Sequence, residues 1–446
     1  MSPQFDLVVI GVGMAGQSIA RRVRAAGWDV AVVDSRPYGG TCALRGCDPK
    51  KVLVGAAELM DWHRRMTGHG IVGDMRIDWA DLMRFKRTFT DPVPGNIEKS
   101  FRDSGIATYH GEAHFVDTNR LQVDGEMLTA KHIAIATGAK PRELDIPGAE
   151  YVATSTDFLE LEALPERIVF IGGGYISFEF AHIAARAGAQ VTIVHRGERP
   201  LEAFDADLVK ELVAATKSTG IEVRLQVEVT AVEKVDSHLL VHTSDGGNLP
   251  ADLVVHGAGR VPEIDDLQLE QGGIEYTSRG VVVNDYLQSI SNAVVYAAGD
   301  SAATKGMPLT PVAVTHGHVV SSNLLKGNQR TPDYAGTPSV VFTVPALARA
   351  GLTEDEARQQ GLKFTVNFQI TDGWYSSRRT NEKHTAFKVL VEEGSGRILG
   401  AHLLGSHAGE VINMFSLAIR HKLTAVDIKQ TLFVHPAESS DIGYMV

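Results

Sequence analysis

The sequence predicts an α/β chain built on two strand–turn–helix units and closed by a separate C-terminal α+β domain. Three observations predict it. A short apolar strand, a glycine-rich turn and a helical stretch occur in that order twice, with turns beginning at Gly11 and Gly172. From about Gly336 the composition shifts to strands rich in β-branched and aromatic residues alternating with helical stretches. The 446 residues leave room for about three domains at roughly 100–200 residues each.

The first unit starts with the apolar strand Leu7–Ile10, which breaks at Gly11. The turn Gly11-Val-Gly13-Met14-Ala15-Gly16 then opens a helix running through about Ala26. Glycine permits the tight turn and lets backbone approach a pyrophosphate, while the helix N-terminus offers free N–H groups and partial positive charge. The next strand, Val30–Val33, ends at Asp34. A carboxylate at that point accepts hydrogen bonds from an adenosine ribose and favours an unphosphorylated one. The second unit repeats the plan: Val169–Ile171 enters Gly172-Gly-Gly174-Tyr175-Ile176-Ser177, and a helix continues through about Ala187. Its next strand, Val191–Val194, ends at His195 and Arg196, with Arg199 close by and no acid. Cationic groups there suit a ribose 2′-phosphate. Both units therefore read as Rossmann-like dinucleotide-binding folds, the first expected to hold FAD and the second NADPH.

Further strands are expected at Ile106–Tyr109, His132–Ala136, Ile221–Arg224, Leu253–Val255 and Val281–Val283. In the last domain, strands Ser339–Val344, Lys363–Gln369, Phe387–Val391 and Ile398–Leu404 alternate with helices Thr353–Gln360 and Gly409–His421. The expected division is 1–150 and 259–335 for the FAD-binding domain, 151–258 for the NAD(P)H-binding domain, and 336–446 for a dimerisation domain.

A formal net charge of −11 and the lack of a long Lys/Arg run argue against a nucleic-acid surface. Met1–Asp6 leads straight into the first strand, so no signal peptide is expected, and no apolar window reaches about 18 residues. A soluble, cytoplasmic protein is expected. The chain has 2 cysteines, Cys42 and Cys47. In a reducing compartment such a close pair is better suited to redox chemistry than to holding the fold together. No metal site is expected.

The pair lies in Gly39-Gly-Thr41-Cys42-Ala-Leu44-Arg-Gly46-Cys47-Asp48-Pro49-Lys50-Lys51. Proline is tolerated in a first helical turn and Val52–Met60 reads as helix, which puts Cys47 at a helix N-terminus. That position stabilises a thiolate. Lys50 and Lys51 add to the positive potential, and Asp48 opposes it.

With these motifs the chain resembles the pyridine nucleotide–disulfide oxidoreductases, the family of glutathione reductase, dihydrolipoyl dehydrogenase and mercuric reductase, over essentially its full length. The redox stretch is similar to the family's GGTCxxxGCxPxK. Tyr175 and Glu179 resemble the nicotinamide-gating tyrosine and the glutamate on the flavin side. Ala136-Thr137-Gly138 and Ala297-Ala-Gly-Asp300 resemble the later FAD motifs, and Thr310-Pro-Val-Ala the segment beneath the flavin. Thr41, Ala113 and Gly259 join the expected cofactor contacts. Phe433-Val-His435-Pro436 matches the C-terminal signature, whose histidine serves the partner subunit, implying a homodimer.

The resemblance implies electron flow from NADPH through FAD to a Cys42–Cys47 disulfide and on to a small, glutathione-like disulfide. Cys47 is then the flavin-side thiol, Cys42 the thiol that attacks substrate, and His435 the proton carrier. Lys50, or else Lys51, would lie near flavin N5 and pair with Glu179. Several positions depart from the family. Ser440 stands where a glutamate orients the histidine; Glu438 and Asp441 flank it without the matching spacing, and either could take the glutamate's place. Leu44 and Asp48 replace an asparagine and an apolar residue, and Glu202 replaces a phosphate-binding arginine, leaving Arg199 as a substitute. Arg21 and Arg22 align with glutathione-binding arginines. A quinone or metal-ion reductase, or a non-catalytic redox-sensing flavoprotein, are the alternatives.

Overall fold

The computed structural model describes residues 3–446. Met1 and Ser2, the start of the N-terminal stretch in which no signal peptide is expected, lie outside the described residues. The chain forms two compact units. One comprises Met1–Lys50, Phe85–Arg142 and Arg260–Tyr334, and the other Lys51–Arg84, Glu143–Gly259 and Ala335–Val446.

In the first unit, strands Ala107–His110, Val30–Asp34, Gln4–Ile10 and Glu126–Ile135 lie side by side and parallel, and Val295–Ala297 adds a further parallel strand beside Glu126–Ile135. Side chains alternate along a strand, and both faces of this sheet are covered, which explains why Leu7–Ile10 within Gln4–Ile10 is continuously apolar and buried. Leu7 and Val9 pack with Ile19 and Val23 of the Met14–Ala25 helix and with Val319 and Val320 of the Thr310–Lys326 helix. Val8 and Ile10 face the other way, towards Ile133 and Val281. Ile10 is in register with both Val33 and Ile135, so Gly11, Asp34 and Ala136 meet at the carboxyl ends of three adjacent strands. That edge is where open α/β sheets bind ligands.

The second unit holds a four-stranded parallel sheet in the order Glu222–Leu225, Gln190–His195, Arg167–Ile171 and Leu253–His256. A three-stranded antiparallel sheet, Val229–Val235, His238–Thr243 and Asn248–Ala251, had no counterpart in the sequence reading. The C-terminal sheet is antiparallel, ordered Pro338–Val341, Ala346–Gly351, Ile398–Gly405, Ala386–Glu392 and Phe364–Ile370. The helix Ala408–Arg420 buries Val411, Ile412, Phe415 and Ala418 against it. The strand expected over Ser339–Val344 ends at Val341, and the chain resumes after Pro345 as Ala346–Gly351. That strand, Ala-Leu-Ala-Arg-Ala-Gly, has weak intrinsic β propensity and is held by its two neighbours. No helix among the described residues is long and apolar enough to cross a membrane.

One buried charge cluster ties loop, helix and sheet together in this unit. Lys388, in the sheet interior, donates to Asp205 at 3.0 Å, Asp207 at 2.5 Å and Glu354 at 3.0 Å. Removing one partner of a buried pair leaves an uncompensated charge and costs about 3–5 kcal/mol. Lys388→Met should therefore lower the thermal unfolding midpoint by several degrees, read by calorimetry. A midpoint that stays in place would show that the cluster is solvated.

Candidate active site

The cysteine segment belongs to the first unit and is shaped by glycine. Gly40 has φ +68, and a Cβ there would sit 2.5 Å from the Cα of Gly13, so only glycine lets this segment lie against the first glycine-rich turn. Thr41–Arg45 forms a wide helical turn, Gly46 breaks it, and Cys47 opens the helix Cys47–Met66. The Cys42 and Cys47 side chains are free thiols hydrogen-bonded to one another. Cys47 Sγ also lies 3.5 Å from the hydroxyl of Thr310, the first residue of the Thr310–Lys326 helix. Two helix N-termini thus converge on one sulfur, and each favours negative charge.

The electrostatics follow that geometry. Cys47 is lowered to about 6, first by the hydrogen bond from Cys42, then by the Thr310 hydroxyl and the Lys50 charge, against the opposing effects of burial and Asp48. Cys42 moves the other way, raised by its bond to Cys47 and by burial, against the opposing hydrogen bond of the Thr310 hydroxyl. The pair holds a single proton at neutral pH, carried on Cys42, and leaves Cys47 as thiolate. The two lysines part company. Lys50 is buried beside the cysteines, whereas Lys51 bonds Glu58 at 3.0 Å and lies over the Phe342 ring at 4.7 Å.

Around the first turn, Asp34 accepts the Val12 N–H at 2.7 Å and the Arg36 N–H at 3.0 Å. Gly11, at φ +97, lies against the Ala136 carbonyl, where a Cβ would clash. Met14 and Ala15 form the first helical turn, and Ala113 opens the strand Ala113–Asp117. Asp300 sits in the short helix Gly299–Ser301, its pKa raised by burial and countered by Arg260. The Thr137 hydroxyl, next to Gly138, is buried without a hydrogen-bond partner.

In the second unit Gly172, at φ +103, lies against the Gly257 carbonyl. Ser177 occupies the third glycine position, and the space it needs comes from Gly257, where a Cβ would sit 2.0 Å from the Ser177 hydroxyl. Gly259, at φ +112, follows in the same glycine-rich loop, a signal in the sequence (Gly257-Ala-Gly259) of which only Gly259 was expected. Tyr175 is exposed at the start of the helix Tyr175–Arg186, with Ile176 next to it. Buried Glu179 accepts the Phe342 N–H at 2.8 Å.

His195 requires a correction. Its Nδ1 accepts the Gly173 N–H at 3.1 Å and its Nε2 donates to the Arg199 carbonyl at 3.1 Å. Both ring nitrogens are spent on the backbone, so His195 braces the turn instead of presenting a cation to a phosphate. Arg196 and Arg199 remain as exposed cations: Arg196 is 3.9 Å from Glu228, and Arg199 bonds only the Glu202 carbonyl, at 3.3 Å.

A second correction concerns Glu438. It pairs with Arg379 at 3.0 Å, while Asp441 accepts from Ser376 at 2.5 Å and Ser440 donates to the Ala437 carbonyl at 2.6 Å. Among the described residues no hydrogen bond joins exposed His435 to any of the three. Arg379 lies 59 residues away in sequence and carries no motif that would have announced the pairing.

The helices after the two glycine-rich turns share one more property. Each begins at a glycine N-cap with no side-chain cap and no acid in its first turn. Helices beginning after Thr154, Asp205, Thr353 and Thr424 are capped by those side chains. The uncapped N–H groups, the orphan Thr137 hydroxyl and the glycine cradles fit the pyrophosphates of FAD and NADPH.

Comparison with known proteins agrees with this geometry. The model of the pyridine nucleotide-disulphide oxidoreductases matches residues 5–317, and that of their dimerisation domain residues 337–446. Glutathione reductase from Burkholderia cepacia is 32% identical over 97% of this chain and 96% of its own length. Mercuric reductase from Bacillus cereus is 31% identical over 96% of this chain and 69% of its own. Among solved structures, the Cu(II) complex of the HOCl-induced flavoprotein disulfide reductase RclA from Escherichia coli superposes with TM-score 0.90 at 28% identity, covering 100% of this chain and 99% of that one.

In the dithiol form, thiolate absorbance in the near ultraviolet should titrate with a midpoint of about 6, present above it and lost as pH falls through it. Thr310→Val should move the midpoint upward, and Cys47→Ser should remove this titration. A single midpoint in the ordinary range, about 8.5 for a free cysteine, would contradict the shared-proton arrangement.

Proposed function

The chain belongs to the pyridine nucleotide-disulphide oxidoreductase family, and we propose that it reduces a small, glutathione-like disulfide through Cys42 and Cys47. It is an FAD-dependent, NADPH-using disulfide oxidoreductase, and its dimerisation domain makes it a homodimer. The observation that carries the proposal is the asymmetric pair: one thiol holds the proton and the other is a thiolate set at two helix N-termini.

When bound, FAD would accept a hydride equivalent from NADPH and hand an electron pair to the disulfide. The residues of the chain do the rest. The turn at Gly11–Gly16, with Asp34, Thr41, Thr137, Gly138 and Asp300, would hold FAD. The turn at Gly172–Gly174, with Tyr175, Ile176, Arg196, Arg199 and Gly259, would hold NADPH, and His195 would keep that turn in shape. Segments 1–150 and 259–335 would form the FAD-binding domain and 151–258 the NADPH-binding domain. Lys50, not Lys51, would steady charge beside Cys47, because Lys51 is engaged by Glu58. Cys47 would keep its thiolate next to the flavin while Cys42 attacks the substrate. The partner subunit's His435 would protonate a leaving thiolate.

One observation favours a second reading, reduction of a metal ion at the same sulfurs. Glu438 is committed to Arg379, which leaves His435 without the carboxylate that disulfide exchange uses in this family. A neighbour in fold, RclA, has a solved structure as a Cu(II) complex, and a relative is a mercuric reductase.

Two measurements decide. Cys42→Ser should abolish NADPH-driven reduction of glutathione disulfide. Under the second reading, Hg(II) or Cu(II) would instead be reduced faster than any disulfide by the wild-type protein. Arg196→Ala with Arg199→Ala should raise the KM for NADPH by about tenfold or more, the scale of one or two lost charge-assisted hydrogen bonds, and leave NADH kinetics alone. An equal effect on both nucleotides would refute the 2′-phosphate assignment.

A further inference from the structure

Asp48 stands where the resembled family has an apolar residue, and the structure gives it a specific neighbour. Its Oδ1 lies 4.0 Å from Cys42 Sγ, within hydrogen-bonding reach of a thiol. An aspartate in a first helical turn ordinarily serves the helix by accepting backbone N–H groups. Among the described residues Asp48 accepts none. The Cys42 thiol is placed to donate to this carboxylate as well as to Cys47, so the proton held on Cys42 has a base at hand within its own subunit. His435, meanwhile, lacks a carboxylate partner among the described residues.

We propose that Asp48 is a catalytic residue that takes the proton from Cys42 as its sulfur attacks substrate and returns it to the departing thiol. The inference rests on the disulfide-exchange reading above. In the first step the Cys42 S–H proton moves to the Asp48 carboxylate, Cys42 Sγ bonds one substrate sulfur, and the substrate S–S bond breaks. The leaving thiolate takes the proton from Asp48 and departs as thiol. In the second step the Cys47 thiolate attacks Cys42 Sγ, the mixed disulfide breaks, and the second thiolate takes a proton from the partner subunit's His435, which solvent reprotonates. The pair ends as a disulfide, and one substrate disulfide has become two thiols. Partial burial raises the Asp48 pKa, which makes it a better base than an ordinary aspartate. The other charged groups on this cluster are Lys50 and the Cys47 thiolate, which act on Cys47 and Cys42 respectively.

The test mixes NADPH-reduced holoenzyme rapidly with glutathione disulfide and follows reoxidation of the pair across the pH range. Asp48→Asn should slow reoxidation by about 100-fold, within the usual range for losing a general acid–base group, and remove one ionisation from the pH profile. Asp48→Glu should restore much of the rate and the ionisation. Both variants should still bind FAD and be reduced to completion by NADPH, a readout that misfolding or lost FAD would not spare. An Asp48→Asn rate within about twofold of wild type would overturn the proposal. So would Asn and Glu variants that are slowed equally with an unchanged pH profile. Cys42→Ser separates the two levels: if it too reacts at the wild-type rate, the disulfide-exchange reading itself fails.

Discussion

One shared proton organises this site. Two thiols close enough to hydrogen-bond cannot both ionise, and the surroundings decide which one keeps the hydrogen. Cys47 has two helix N-termini and buried Lys50 on its side, while the Thr310 hydroxyl favours charge on either sulfur. Cys42 has burial and Asp48, both of which disfavour its charge. The asymmetry divides labour between residues of one type: a stabilised thiolate stays put, and its protonated neighbour is free to be deprotonated on demand.

The same device, helix N–H groups left without caps, recurs at the two glycine-rich turns proposed to hold the cofactors' phosphates. Threonine or aspartate caps elsewhere in the chain show that capping is within this protein's means. Gly13 and Gly174 withhold it. The cost is recovered by backbone that interlocks around glycine, as at Gly40 on Gly13 and Gly257 on Ser177. His195 shows how tightly the second turn is held, since a strand-end side chain fills its ring valences with Gly173 and Arg199 backbone.

Much of this could be read from local patterns. Strand, glycine-rich turn and helix are contiguous in sequence, so both units and their glycine-rich turns were legible, as was Cys47 at the head of its helix. The resemblance supplied Thr310, whose contact with Cys47 spans 263 residues and has no local signal. Side-chain commitments over such distances stayed hidden. His195 has the residue type of a cation, and its bracing role depends on where the Gly173 N–H points. Glu438 sits near His435 in sequence, yet Arg379 claims it. The strand Ala346–Gly351 is small and unbranched, and its pairing with Ile398–Gly405 determines its conformation. Asp48 was legible only as a charge that opposes its neighbours. Its facing of Cys42, which is what gives it a chemical role, needed the fold.

The claim beneath all of this is that electrons from NADPH pass into the Cys42–Cys47 bond before they leave the protein. Mass-spectrometric mapping of these two cysteines, in FAD-loaded protein trapped before and after one equivalent of NADPH under anaerobic conditions, tests it directly. The account predicts a linked pair before the addition and two alkylatable thiols after it. Cysteines that stay linked, in protein that still passes NADPH electrons to an acceptor, would contradict it.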